Sequence, residues 1–196
     1  MMVVIAVAAT VLAAPNQAND LKLGTLVGKV VVTTEKRDQD TVVYLKEVKG
    51  NYPAPQKPAV LLQKGKEFLP HLLPVQRGQT VRFKNGDPFV HNVHVYWERR
   101  SMFNQSEAAN SEMTWAPPRV GEYLVLCNIH PEMMAGILVF DNPFFAAVPS
   151  SDFKIENVPE GTYTLVAVRD VNGVLKKKET EVNIKSGEPT NVTITD

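Results

Sequence analysis

The stretch YLVLCNIHPEMMAGILVF, residues 123–140, reads as one β-strand that ends at Cys127, a short loop carrying His130 and Met133, and a second strand that leaves. A thiolate, an imidazole and a thioether thus fall within seven residues of a strand–loop–strand unit. Soft and borderline donors of this kind suit copper: a trigonal His₂Cys set with a weak, distant axial Met serves one-electron transfer. The loop supplies only one imidazole.

The second comes from FKNGDPFVHNVHVYW, residues 83–97, where a strand and an NGD turn bring His91 to the start of another strand. Donors from separate strands are held rigidly. Asn92 is placed to hydrogen-bond the opposite loop and tune the sulfur. Met134 rivals Met133 as the axial donor, but neighbouring residues of an extended segment point opposite ways, so only one faces the site, and spacing favours Met133. His94 falls on the other side of its strand from His91. His71, in FLPHLLPV, precedes a strand and has no assigned role, while Met102 and Met113 flank a polar segment and read as packing or as aids to metal loading. Zinc accepts a thiolate and imidazoles too, although a structural zinc site prefers a fourth strong ligand to a thioether.

The flanking sequence is β-rich throughout. No stretch sustains helical periodicity, and short Val, Ile and Tyr runs are separated by NGD at 85–87, PEG at 159–161 and VNG at 171–173. The fold class is therefore all-β, a sandwich. NYPAPQKP at 51–58 and DNPFFAAVPSSD at 141–152 punctuate the chain and enclose a unit spanning 58–141.

Composition narrows the function classes. The 196 residues are 44% hydrophobic, enough for a real core, and Lys plus Arg (21) balance Asp plus Glu (21), so no net field draws the chain to nucleic acid or an acidic membrane. The first residues, MMVVIAVAATVLAAPNQA (1–18), read as an apolar export signal ending in small residues, too short to span a bilayer comfortably and lacking the usual leading Lys or Arg. No membrane span is expected in the mature chain, and the location implied is periplasmic or extracellular. Cys127 is the one cysteine, which excludes an intramolecular disulfide and leaves a buried thiol, a metal ligand or a nucleophile. A nucleophile needs a base and an orienting third group, and His130 as base would leave Met133 unexplained. With a single cysteine and no second His pair for oxygen chemistry, an enzyme is not expected.

On these residues, HNVH (91–94) followed by CNIHPEM (127–133) resembles the small blue copper proteins, the cupredoxins, above all amicyanin and plastocyanin. The resemblance covers roughly 58–141 and implies a Greek-key β-sandwich holding one copper ion, cycling between Cu(I) and Cu(II), through His91, Cys127, His130 and Met133. It also implies that His130 is the electron port, ringed by an apolar collar of Pro88, Phe89, Val90, Pro131 and Met134, and that the partners are a redox donor and acceptor. The segments at 24–50 and 147–196 resemble a carboxypeptidase regulatory-like, prealbumin-like sandwich. They imply a second small module into which the metal-binding unit is inserted. The alternative function is a copper carrier or cell-surface binding module with no electron-transfer role.

Overall fold

The computed structural model describes residues 22–32, 40–171 and 174–195, so the export signal read at 1–18 lies outside the described residues. Those residues form β-strands and connections without a helix. In chain order the strands are β1 (Leu23–Val31), β2 (Thr41–Leu45), β3 (Ala59–Lys64), β4 (Glu67–Leu69), β5 (Leu72–Gln76), β6 (Val81–Asn85), β7 (His91–Trp97), β8 (Arg100–Glu107), β9 (Glu112–Trp115), β10 (Gly121–Leu126), β11 (Met134–Phe140), β12 (Phe145–Val148), β13 (Asp152–Pro159), β14 (Gly161–Val171), β15 (Val174–Ile184) and β16 (Thr190–Thr195).

They assemble into four sheets, ordered β13-β1-β16, β12-β2-β14-β15, β5-β11-β10-β7-β8 and β4-β3-β6-β9. The last two face each other across a core of Leu61, Phe68, Val75, Val81, Phe83, Val93, Val95, Tyr123, Val125, Ile137 and Val139, with Cys127 and Met133 at its end. The chain crosses repeatedly between these two sheets, which pairs β3 parallel to β6 and β5 parallel to β11. The first two sheets enclose their own core, including Leu26, Val43, Leu45, Phe144, Ile155, Leu165 and Ile184. In that half, β1 lies between β13 and β16, and β2 lies between β12 and β14, so strands from both ends of the sequence share both sheets.

A third apolar layer joins the halves. Val42, Val166 and Val168 on the outer face of the β2–β14 sheet pack against Leu72 and Leu138 on the outer face of β5 and β11, flanked by Tyr44, Phe140 and Leu175. Alternation makes this possible: Val43, Leu165 and Ala167 point into one core while their neighbours Val42, Val166 and Val168 point into the next. The four sheets are therefore stacked, and the inner two are apolar on both faces where they meet. Gly136 makes room for Leu72 at this layer, since a Cβ there would lie 2.8 Å from Leu72 Cδ2.

Several strands have no alternating pattern for a sequence to show. LLPVQ, β5, is apolar at consecutive positions because both its faces are covered, and RSMFNQSE, β8, is a polar edge strand. FAAV, β12, lies within the stretch 141–152 that reads as punctuation, yet it pairs with β2 from Tyr44 to Thr41. Leu138, 2% exposed between the stacked sheets, tests the third layer: Leu138→Ala should cost about 2–5 kcal/mol in urea unfolding. A loss under ~1 kcal/mol would show that the layer contributes little.

Candidate metal centre

At one end of the metal-side sandwich, β10 delivers Cys127 to the loop that β11 closes at Met134. Two backbone bonds tighten the loop: Met133 N–H donates to the His130 carbonyl at 3.0 Å, and Cys127 N–H donates to the Met133 carbonyl at 3.3 Å. This curls His130 back toward Cys127. Opposite, the β6–β7 connection places His91 at the first position of β7, fully buried.

Three donors converge there. His91 Nδ1 and His130 Nδ1 are 3.1 Å apart, Cys127 Sγ lies 3.9 Å from His130 Nδ1, and the donor atoms of all three residues lie within 4.8 Å of one another. Met133 is 1% exposed and packs in the same core cluster as Cys127. Its neighbour Met134 turns to the outer face of the sheet, where it lines a groove with Leu126, Leu124 and Tyr96. Met134 is therefore no part of the collar around His130.

The spacing of the donors tests whether they can share one ion. With bonds of about 2.0 Å to nitrogen and 2.3 Å to sulfur, tetrahedral angles would separate two nitrogens by roughly 3.3 Å and sulfur from nitrogen by roughly 3.5 Å. The observed nitrogen–nitrogen gap is shorter and the sulfur–nitrogen gap wider. Both gaps lie within about 0.4 Å of those values, so the three donors are spaced to share one ion, and a thiolate with two imidazoles is a donor set that suits copper.

A hydrogen-bonded shell holds the donors. Asn92 N–H donates to Cys127 Sγ at 3.4 Å, and the Asn92 side chain accepts from Asn128 N–H at 3.2 Å while donating to Asn104 Oδ1 at 3.0 Å. Asn92 thus straps the His91 strand to the Cys127 loop. Asn85 Nδ2 donates to the carbonyls of Phe89, Glu107 and Ala108, which fixes the turn ahead of His91. Behind the imidazole, buried Asp87 accepts from His91 Nε2 at 2.9 Å. Burial alone would raise the Asp87 carboxyl, but the amides of Gly65 and Lys66, the His91 ring and the Lys64 ammonium overcome it and hold the group well below the usual carboxylate range. Asp87 reads in the sequence only as part of a turn.

His94 lies off the cluster, with Nδ1 near Asn128 Oδ1 and the Tyr96 hydroxyl and Nε2 near Ser101 Oγ. His71 is half-buried, and its main chain bonds the Asp40 carboxylate and the Gly136 amide. Met102 and Met113 are half-buried against the metal-side core. Around half-buried His130 the surface is apolar: Pro88, Phe89, Val90 and Pro131 are exposed, joined by Ile129, which is 48% exposed and carries no signal in the sequence beyond its loop position. The Phe89 ring centroid lies 5.1 Å from that of His91 and 5.7 Å from that of His130.

No protein-family model matches the chain, and no curated protein matches it. Among solved structures it is similar to a copper-containing nitrite reductase from Thermus scotoductus SA-01, with 24% identity over 47% of this chain and 24% of that one, at a TM-score of 0.40. The chain thus spans about a quarter of that reductase's length. It is also similar to a purple cupredoxin from Nitrosopumilus maritimus, with 19% identity over 42% of this chain and 99% of that one, at 0.38. Amicyanin from Paracoccus versutus matches at 18% identity over 50% of this chain and 97% of that one, at 0.40.

One buried acid beside the site is testable by pH. Glu107 pairs with His91 across β7 and β8, and burial pushes its carboxyl up despite the hydrogen bond from Gln63 Nε2, while Glu107 Oε1 and Gln63 Oε1 have no partner within the protein. Because the folded value lies above the unfolded one, this group's stabilisation is full below the ordinary carboxyl range and is lost as pH rises through the raised value. Glu107→Gln removes the charge and offers Gln63 Oε1 a donor. The variant should be the more stable protein at neutral pH, with the advantage shrinking on acidification, as read from urea midpoints across pH.

Proposed function

We propose that this chain is a mononuclear copper protein of the cupredoxin kind, which binds one copper ion through His91, Cys127, His130 and Met133 and carries single electrons between redox partners outside the cytoplasm. The observation that carries the reading is the convergence of two imidazole Nδ1 atoms and a buried sulfur, one from the start of β7 and two from the β10–β11 loop. Copper bound there would supply a one-electron Cu(I)/Cu(II) couple.

The protein's own residues make that couple fast to use. His91 is fixed by Asp87, the Cys127 sulfur by the Asn92 amide, and His130 by the Met133 turn, so none of them has to move between the two charge states. The sandwich core excludes water from His91, Cys127 and Met133. His130 alone is part-exposed, and Phe89, Val90, Ile129 and Pro131 surround it with apolar surface suited to brief docking over a small area. The reading takes the strands at 24–50 and 147–196 as one module with the metal-binding unit inserted, serving as its support.

Purified protein loaded with Cu(II) should show an intense charge-transfer band near ~600 nm that Cys127→Ser abolishes, and a reversible one-electron couple. Met133→Leu should shift the band and the couple, whereas Met134→Leu should leave both in place. A colourless protein that retains zinc would overturn the copper reading. Rapid metal release on reduction would favour the carrier function instead. A charged residue at Phe89 or Ile129 should slow electron self-exchange with the spectrum unchanged.

A further inference from the structure

Asp87 is the most thoroughly bonded carboxylate beside the site, and the residues that bond it come from a surface turn far off in sequence. The β3–β4 hairpin turns through Gly65 and Lys66, whose φ values of 65° and 62° are both left-handed. Glycine takes the first at no steric cost. Two successive left-handed residues point their amides to the same side, a concavity that binds anions. Here the anion is internal: Gly65 N–H donates to Asp87 Oδ1 at 2.9 Å and Lys66 N–H to Oδ2 at 3.1 Å. The Lys64 ammonium lies 3.5 Å from Oδ1 with its side chain more than half exposed. From its own side, Asp87 N–H donates to Asn85 Oδ1 at 2.9 Å. The remaining bond of Oδ2 is to His91 Nε2 at 2.9 Å.

These contacts run in one line from solvent to the site: Lys64, the Asp87 carboxylate, the His91 ring, and then the donor nitrogen Nδ1. We infer that Asp87 is the positioning residue of the metal centre, which holds His91 as the Nε2–H tautomer with its Nδ1 lone pair facing the other donors and places a fixed negative charge behind the ring. The inference rests on the reading of His91, Cys127, His130 and Met133 as a metal site. Its direction follows from charge. An uncancelled carboxylate favours the more highly charged metal ion, so Asp87 lowers the reduction potential and Lys64, by partly neutralising it, raises the potential.

The two residues give opposite signs, which a general loosening of the fold does not. Asp87→Asn keeps the shape and removes the charge. It should weaken Zn(II) binding by about 10- to 100-fold and raise the copper potential by about 59 mV for each tenfold by which Cu(II) loses more affinity than Cu(I). Lys64→Gln should lower the potential, and Asp87→Glu should recover part of the zinc affinity. In metal-free wild-type protein, ¹⁵N NMR should find His91 protonated at Nε2. The zinc and NMR readouts need no redox activity, so a failed electron-transfer reading leaves them able to decide this inference. Unchanged zinc affinity and potential in Asp87→Asn, or a wild-type His91 protonated at Nδ1, would overturn it. If Asp87→Asn does not fold, the sign of the Lys64→Gln shift and the wild-type tautomer decide.

Discussion

Bringing two imidazole nitrogens to 3.1 Å beside a buried sulfur is the constraint on which the surrounding structure depends. Polar atoms taken out of water are costly unless each is given a partner. The chain gives two of the three donor groups a partner and fixes the third through its backbone. His91 leans on Asp87, Cys127 accepts from the Asn92 amide, and His130 is curled inward by the Met133 amide. Two of these ties are local, and the third, from Asn92 to Cys127, spans the paired strands β7 and β10 that bring His91 to the Cys127 loop.

Strands hold both ends of the donor loop and carry the donor opposite it. His91 begins β7, Cys127 directly follows β10 and Met133 directly precedes β11, and these three strands are neighbours in one sheet. Pairing of Leu126 with both His94 and Met134 fixes the register just behind the donors. A one-residue slip of β7 would turn His91 to the opposite face. The geometry is therefore protected by a whole ladder of hydrogen bonds and not by the loop alone.

How far the sequence could be read follows from what each feature needs. The three residues that the structure brings together are legible because their types are scarce: the one Cys with a His three positions on, and a distant His at a strand start. The all-β class is legible because alternation survives wherever one face of a strand meets a core. It vanishes in β5, covered on both faces, and in polar β8, at an edge. Asp87 is hidden for another reason. NGDP spells a turn, and nothing local says that the Lys64–Lys66 turn, about 22 residues earlier, folds its amides onto that carboxylate. Met134 shows the limit of adjacency: counted with the collar for its place beside Met133, it faces the other way because it is the first residue of a strand.

That reversal ties the second half of the molecule to the first. Along β10 and β11 the residues next to the donors, Leu126 beside Cys127 and Met134 beside Met133, both face the outer groove, which Asp170 and Leu175 from the β14–β15 hairpin also line. Lys177 on that hairpin pairs with Glu122 on β10. Further along the same sheet face, Leu72 and Leu138 are sealed against Val42, Val166 and Val168. The back of the five-stranded sheet is thus braced over β5 and β11 and left open as a groove behind the donors. An isolated metal-side sandwich would expose this apolar face to water, which gives the C-terminal strands a structural purpose even without chemistry of their own.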